Sequence, residues 1–241
     1  MELNIEEENR NVLKTGNTEL DRRIGGIPIP SLTLLEGNND SGKSVMVQQI
    51  TFGALNCGYR VRYITTENTI RSLLSQMKSI SMDVTIHFLS GYFKITALHV
   101  RGISWNSEKS QHHLNLLLEH IRRDKQTNIM IIDSLTYLVT YAEDEAVLTF
   151  FSECRNIVDS GDKTIFITIH PYAFESDLLI RIRSICDGHF LLNIRELRDR
   201  TVRMLEVAKL RGARKATVST ISFEVDPAFG LKIVPLSQAK A

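Results

Sequence analysis

Apolar positions along this chain fall into two alternating patterns. Helical spacing, with apolar side chains three and four residues apart, recurs at Ile70, Leu73, Leu74 and Met77, at Leu114, Leu117, Leu118 and Ile121, and at Val147, Phe150, Phe151, Cys154 and Val158. Short continuous apolar runs lie around these stripes, at Leu32 to Leu35, Val61 to Ile64, Ile129 to Ile132 and Ile165 to Ile169. A strand covered on both faces reads in this way. Strand and helix alternating predict βαβ units around a parallel sheet, with right-handed crossovers. After about residue 186 the rhythm changes: His189 to Leu197 and Val202 to Leu210 flank the polar turn Arg198-Asp199-Arg200, and Ile221 to Val225 follows. That end reads as antiparallel strands added to the sheet. No linker or repeat interrupts the pattern. The expected fold is one three-layer αβα domain over residues 1–241, with 1–14 as an N-terminal extension.

Composition narrows the class without naming a function. In 241 residues, 29 Lys and Arg nearly cancel 28 Asp and Glu, so no global field draws the chain to nucleic acid or an anionic membrane. The longest apolar runs fall far short of the roughly 20 residues of a membrane span, and Met1 to Arg10 is acidic where a signal peptide is basic. Cys57, Cys154 and Cys186 are too scattered for a disulfide framework or a zinc site and read as reduced thiols. A cytoplasmic protein is expected.

One segment carries recognisable chemistry. Gly37-Asn38-Asn39-Asp40-Ser41-Gly42-Lys43-Ser44 fits G-x-x-x-x-G-K-[ST], with the run Leu32 to Leu35 before it and Val47, Ile50, Ala54 and Leu55 at helical spacing after it. A loop short of side-chain bulk at a helix N-terminus turns successive backbone N–H groups towards an anion. The cradle expected to bind ATP runs over Asn38, Asn39, Asp40, Ser41, Gly42, Lys43, Ser44 and Val45. Lys43 reaches the outer phosphates and the Ser44 hydroxyl ligates Mg²⁺. Asp133, closing the run Asn128 to Ile132, suits an aspartate holding the metal's water shell, or alternatively a helix N-cap. Glu67, at the end of the second strand run, is placed either to orient a water or to stabilise the first turn of the helix bearing Ile70 and Leu73.

These motifs resemble the RecA/KaiC class of P-loop ATPases. The likeness runs from Thr15-Gly16 and Leu20-Asp21 through Gly25-Gly26, the phosphate loop, Glu67, Asp133-Ser134 and Ile167-Thr168-Ile169-His170 to the segment Leu205 to Gly212. Within that class Asn39 to Ser44, Thr65 to Thr69, His170 to Phe174 and Leu179 to Asp187 are similar to the ATP-binding motor proteins of the archaeal flagellum, the archaellum. The resemblance implies a RecA-like fold and puts Glu67 at the position of the water-activating glutamate. Lys209 and Arg211 match the pair that KaiC-like rings project into a neighbouring subunit's nucleotide site. It also implies a cytoplasmic homo-oligomeric ring, hexameric in form, that associates with the motor ATPase FlaI beneath the membrane platform FlaJ, within a scaffold such as FlaX. Asn68 stands where KaiC-like enzymes carry a second glutamate, and His170 where RecA carries a γ-phosphate-sensing glutamine. A switch that binds ATP and hydrolyses it slowly or not at all is therefore expected.

Two rival functions remain. Residues 195 to 215 carry eight Lys or Arg against three Asp or Glu, which suits a short RecA-like recombination mediator gripping DNA. An active KaiC-like ATPase or autokinase is the other. His112, His113 and His120 lack acidic or Cys partners at ligand spacing and read as a solvated helix face. Gly91 to Lys109 has little periodicity and reads as a packed loop rather than a docking excursion.

Overall fold

Where continuous apolar runs were expected to be doubly covered strands, they are. The computed structural model describes residues 12–234 apart from 101, 103, 162, 198–199 and 214–219. Most of the expected N-terminal extension and the Arg198-Asp199 turn thus lie outside the described residues. In chain order the first half comprises β1 (Val12–Leu13), α1 (Thr18–Ile24), β2 (Ile27–Pro28), β3 (Leu32–Gly37), α2 (Lys43–Asn56), β4 (Val61–Thr65), α3 (Ile70–Ser79), α4 (Thr85–Leu89) and β5 (Phe93–Ala97). The second half comprises α5 (Ser107–Arg123), β6 (Ile129–Asp133), α6 (Thr136–Val139), α7 (Asp144–Asp159), β7 (Thr164–Ile169), a 3₁₀ turn at Pro171–Ala173, α8 (Ser176–Ile185), β8 (Gly188–Leu197), β9 (Arg200–Leu210), β10 (Thr220–Asp226) and β11 (Gly230–Val234).

Nine strands form one sheet in the order β11-β10-β9-β8-β3-β7-β6-β4-β5. Every residue of β3, β6 and β7 is buried. One face of β3 sends Leu35 towards Met46, Val47 and Ile50 of α2 and Leu73 and Met77 of α3. The other sends Leu32 and Leu34 towards Leu114 of α5, Phe150 and Phe151 of α7 and Leu179 of α8. Two cores on opposite faces make the three layers. Truncating Phe150 or Phe151 to Ala would cost about 3–5 kcal/mol, since each ring is fully buried.

Two details differ from the expected pattern. β8 lies parallel to β3, so the antiparallel addition begins one strand later, at β9. Residues expected to be a packed loop contain β5, an edge strand parallel to β4. Only Phe93 of β5 is fully buried and the other four residues are half-exposed, which leaves little hydrophobic periodicity to read.

The N-terminal segment is fastened onto α2. Thr15 donates to Asp21 Oδ1 from its backbone N–H (2.8 Å) and its hydroxyl (2.9 Å), and Gln49 Nε2 donates to Thr15 O at 2.8 Å. Gly53 permits the approach: a Cβ there would stand 2.2 Å from the Thr15 carbonyl carbon. Asn17 Nδ2 donates to Leu231 O, joining this segment to β11 across 214 residues.

Candidate nucleotide site

All six parallel strands point their carboxyl ends to one edge of the sheet, the edge where open α/β sheets bind ligands. Gly37 ends β3 there. The chain then turns through Asp40 at φ 59° and Gly42 at φ 92° before α2 starts at Lys43. Both angles lie in the left-handed region, which Gly enters freely and Asp more readily than most residues. Two such turns in succession curl backbone N–H groups around a concavity at the helix N-terminus.

Lys43 Nζ donates to the carbonyls of Gly37 and Asn38, both at 2.8 Å, and so bridges the start of the loop. Burial lowers its pKa, against the opposing influence of Asp133, Glu67 and Asp40. Ser41 Oγ is buried with no hydrogen-bond partner. A buried cation, an orphaned hydroxyl and a helix N-terminus form a donor set that suits the oxygens of a polyphosphate.

Asp133 lies in a cage of hydroxyls. It accepts from Tyr63 (2.6 Å), Thr168 (2.7 Å) and Ser44 (3.3 Å). Burial raises its pKa, and the three hydroxyl bonds pull the other way. A divalent cation beside Ser44 and Asp133 would favour the carboxylate form, and oxygen ligands of this kind suit Mg²⁺. The helix-cap alternative for Asp133 has no counterpart, because its carboxylate binds side chains and no helix N–H.

Glu67 stands two residues before Thr69, whose hydroxyl caps α3 by accepting from Ser72 N. It therefore lies outside the helix's first turn. Its Oε1 accepts from Ser134 Oγ at 3.0 Å, and its side chain lines the cleft. Asn68 turns away, its Oδ1 accepting from Ser72 Oγ and Gln76 Nε2 along α3.

His170 lines the same cleft. Its Nδ1 lies 2.9 Å from Thr136 Oγ1, which also accepts from the His170 backbone N–H. With that hydroxyl donating to Nδ1, the ring proton sits on Nε2. Burial, reinforced by Lys43, lowers its pKa to about 4, so the ring is neutral at pH 7.

The cleft, of about 470 Å³, is lined by Asn39, Asp40, Gly42 to Val45, Glu67 and His170, together with Arg203 and Val225. Asn38 contributes its carbonyl to Lys43, and Ser41 lies buried beneath the loop. Lys209 and Arg211 do not join them. His189 pairs with Lys209, and Gly188 pairs with both Leu210 and Thr33. The pair therefore sits at the amino end of β3, opposite the loop. Lys209 Nζ donates to the carbonyls of Arg183, Ser184 and Cys186 at the end of α8. Arg211 is largely exposed, 3.9 Å from Asp187 Oδ1.

Arg203 was not singled out by sequence reasoning. Its Nε donates to Asp40 O at 2.9 Å, and its side chain packs against Gly42 beside Phe223. The signal was the antiparallel run of β9: if Lys209 marks one end of the sheet, a basic residue six positions earlier faces the other.

Comparison with known proteins agrees with this architecture. The family model described as "ATPase: KaiC" matches residues 13–238. The archaeal flagellar ATP-binding protein FlaH of Sulfolobus acidocaldarius is 37% identical, over 95% of this chain and 100% of its own length. The chain belongs to the FlaH family of KaiC-type ATPases. FlaH of Methanocaldococcus jannaschii is 26% identical over 89% of this chain and 91% of its own. The crystal structure of the flagellar accessory protein FlaH from that organism superposes with a TM-score of 0.80 at 23% identity, covering 93% of this chain and 99% of the other. A KaiC-like protein from Pyrococcus horikoshii OT3 gives 0.70 at 22% identity, with 93% and 99% covered. These two likenesses concern the fold, and the RecA/KaiC-like three-layer architecture expected from the resemblance is the one observed. Among the described residues no helix is long and apolar enough to cross a membrane.

Proposed function

We propose that this chain is the ATP-binding subunit of an archaellum motor and works as a nucleotide-dependent switch. The observation that carries the reading is the pairing of a Gly37–Ser44 phosphate cradle with a buried aspartate that shares a hydrogen bond with the cradle's own Ser44. In this reading Asn38 to Val45 hold the phosphates, Lys43 neutralises the outer ones, and Ser44 with Asp133 holds Mg²⁺. When bound, Mg·ATP supplies a terminal phosphoryl group that ADP lacks. Neutral His170 offers its Nε2 proton to that group, a donor comparable with an amide. Glu67 orients water.

Turnover is slow, because the position next to Glu67 in the chain carries Asn68 instead of a second carboxylate, and Asn68 is engaged along α3. The chain acts as a single domain and assembles as a homo-oligomeric, hexameric ring on the cytoplasmic side of the membrane. Arg211 reaches a neighbour's site there, and Lys209 joins it only by giving up the carbonyls of α8. The partners are the motor ATPase FlaI, the platform FlaJ and a scaffold such as FlaX, with nucleotide state setting affinity for them. Calorimetric titration with Mg·ATP and Mg·ADP, together with phosphate release, tests the reading. Binding with turnover well below about one per second is expected. Absence of binding overturns the site, and fast multiple turnover or phosphate transferred to the protein favours an active ATPase or autokinase.

A further inference from the structure

Beside the cleft, the segments that leave β6 and β7 present an exposed face of unusual composition. Residues 134–146 and 170–180 carry five carboxylates, Glu143, Asp144, Glu145, Glu175 and Asp177, and no Lys or Arg. All five are exposed. Among them stand three tyrosines open to solvent: Tyr137 at 42%, Tyr141 at 52% and Tyr172 at 69%. Tyr137 lies in α6 and Tyr141 in the turn just beyond its end. The two segments are held together at the root, since Thr136 bonds His170 through both Nδ1 and the backbone N–H, and Leu135 N donates to Thr168 O. The Tyr172 ring lies over His170 at 5.3 Å between centroids.

Tyrosines contribute most when a partner covers both ring and hydroxyl, which is why they concentrate at interface centres. A rim of one charge sign selects the opposite sign in what covers it. Polyanions are disfavoured here, because five carboxylates outnumber the one exposed cation that follows them on α8, Arg181. The five carboxylates also open α7 and α8. There they complement positive helix ends, which explains their presence in the folded chain; Glu143 also accepts from Ser107 Oγ at 3.1 Å.

We propose that this acidic, tyrosine-bearing face is a docking surface for a Lys/Arg-rich amphipathic segment of a partner protein, with the tyrosines covering its apolar side and the carboxylates pairing with its cations. The assignment rests on the switch reading above and supplies the surface through which such a switch would act. The link is short: His170 lines the nucleotide cleft on one side and supports Tyr172 on the other. Nucleic acid and a second copy of the chain are the competing occupants.

The test uses the full-length protein and three fluorescent probes: an 18-residue Lys/Leu amphipathic peptide, the same peptide with Glu for Lys, and a single-stranded oligonucleotide. Anisotropy titrations are run with Mg·ATP and with Mg·ADP, alongside sedimentation and calorimetric nucleotide binding. The basic peptide is expected to bind at least tenfold more tightly than either other probe, to weaken with salt, and to differ in affinity between the two nucleotides. Combining Tyr141→Ser, Glu145→Gln and Asp177→Asn is expected to weaken peptide binding at least tenfold while nucleotide affinity and oligomer size stay at wild type. A variant that binds the peptide like wild type, an oligonucleotide that binds more tightly than the peptide, or a variant that changes oligomer size overturns the proposal, the last assigning the face to contact between copies. Peptide binding that is lost in the variant but indifferent to nucleotide supports the surface and refutes its coupling to the switch. Failure of wild type to bind ATP is read independently, by calorimetry.

Discussion

Lys43 sits where a single side chain separates binding from folding. It bridges two carbonyls at the loop's start, and losing those bonds is offset by removing a cation whose burial is unfavourable. Lys43→Ala is therefore expected to weaken Mg·ATP binding at least a hundredfold by calorimetry, with a thermal midpoint within a few degrees of wild type. Asp133→Asn behaves differently: the Tyr63 and Thr168 hydroxyls donate to both carboxylate oxygens, and an amide nitrogen cannot accept from either. A stability loss of about 2 kcal/mol in urea, together with a nucleotide affinity that no longer responds to Mg²⁺, is the expected pair of results. His170 makes the folded state sensitive to pH. Its pKa is depressed from 6.5 to about 4, so its contribution is complete above pH 6.5 and is lost as pH falls towards 4, where the unfolded chain binds the proton first. At about 1.4 kcal/mol for each pH unit between those values, discounted for the solvent-facing part of the ring, the loss is about 2 kcal/mol. Asp133 has the opposite sign, its raised pKa favouring the folded state as pH falls. The comparison of wild type with His170→Gln therefore isolates the histidine: urea midpoints at pH 7 and pH 4.5 should converge if it is right.

At the scale of elements, Lys209 is engaged within its own chain in a way that motif reading gave no hint of. Three carbonyls at the end of α8 receive its ammonium, where a cation also complements the negative end of the helix dipole. Lys209→Met should cost about 1–2 kcal/mol in urea unfolding of the monomer, whereas a lysine serving only a neighbouring subunit would leave monomer stability unchanged. Legibility followed the same division between local and distant contacts. β3, β4, β6 and β7 and helices α3, α5 and α7 were readable because burial on one or two faces writes a period into adjacent residues. The phosphate loop was readable because its chemistry is local. β5 was not, since an edge strand with one fully buried side chain leaves no period. The parallel pairing of β8 with β3 and the position of Arg203 at the loop were not, because both depend on which strands lie side by side. For Glu67 the sequence allows two roles, and the cap at Thr69 places it outside the helix.

For the molecule as a whole, the separation of the two ends of the sheet decides how copies would cooperate. Leu205 lies level with Gly37 through Leu192, and Arg211 is six residues further along, about 20 Å away at 3.3 Å per residue. An arginine at that distance serves another subunit's phosphate or none. Sedimentation is expected to show Mg·ATP shifting wild type towards a hexamer and Arg211→Ala binding ATP without the shift; normal assembly of that variant would remove Arg211 from the interface. A different consequence follows from the wall that Arg203 and Val225 give to the cleft. Arg203 meets Asp40 across 163 residues, and the Thr15 segment that braces α2 is tied through Asn17 to Leu231. A chain emerging from the ribosome thus carries its complete Gly37–Ser44 signature long before it has a site. The cleft has its full lining only once β9 and β10 have paired, so a fragment ending before β9 is expected to bind Mg·ATP more weakly than the whole chain, a difference that calorimetry on the two would read.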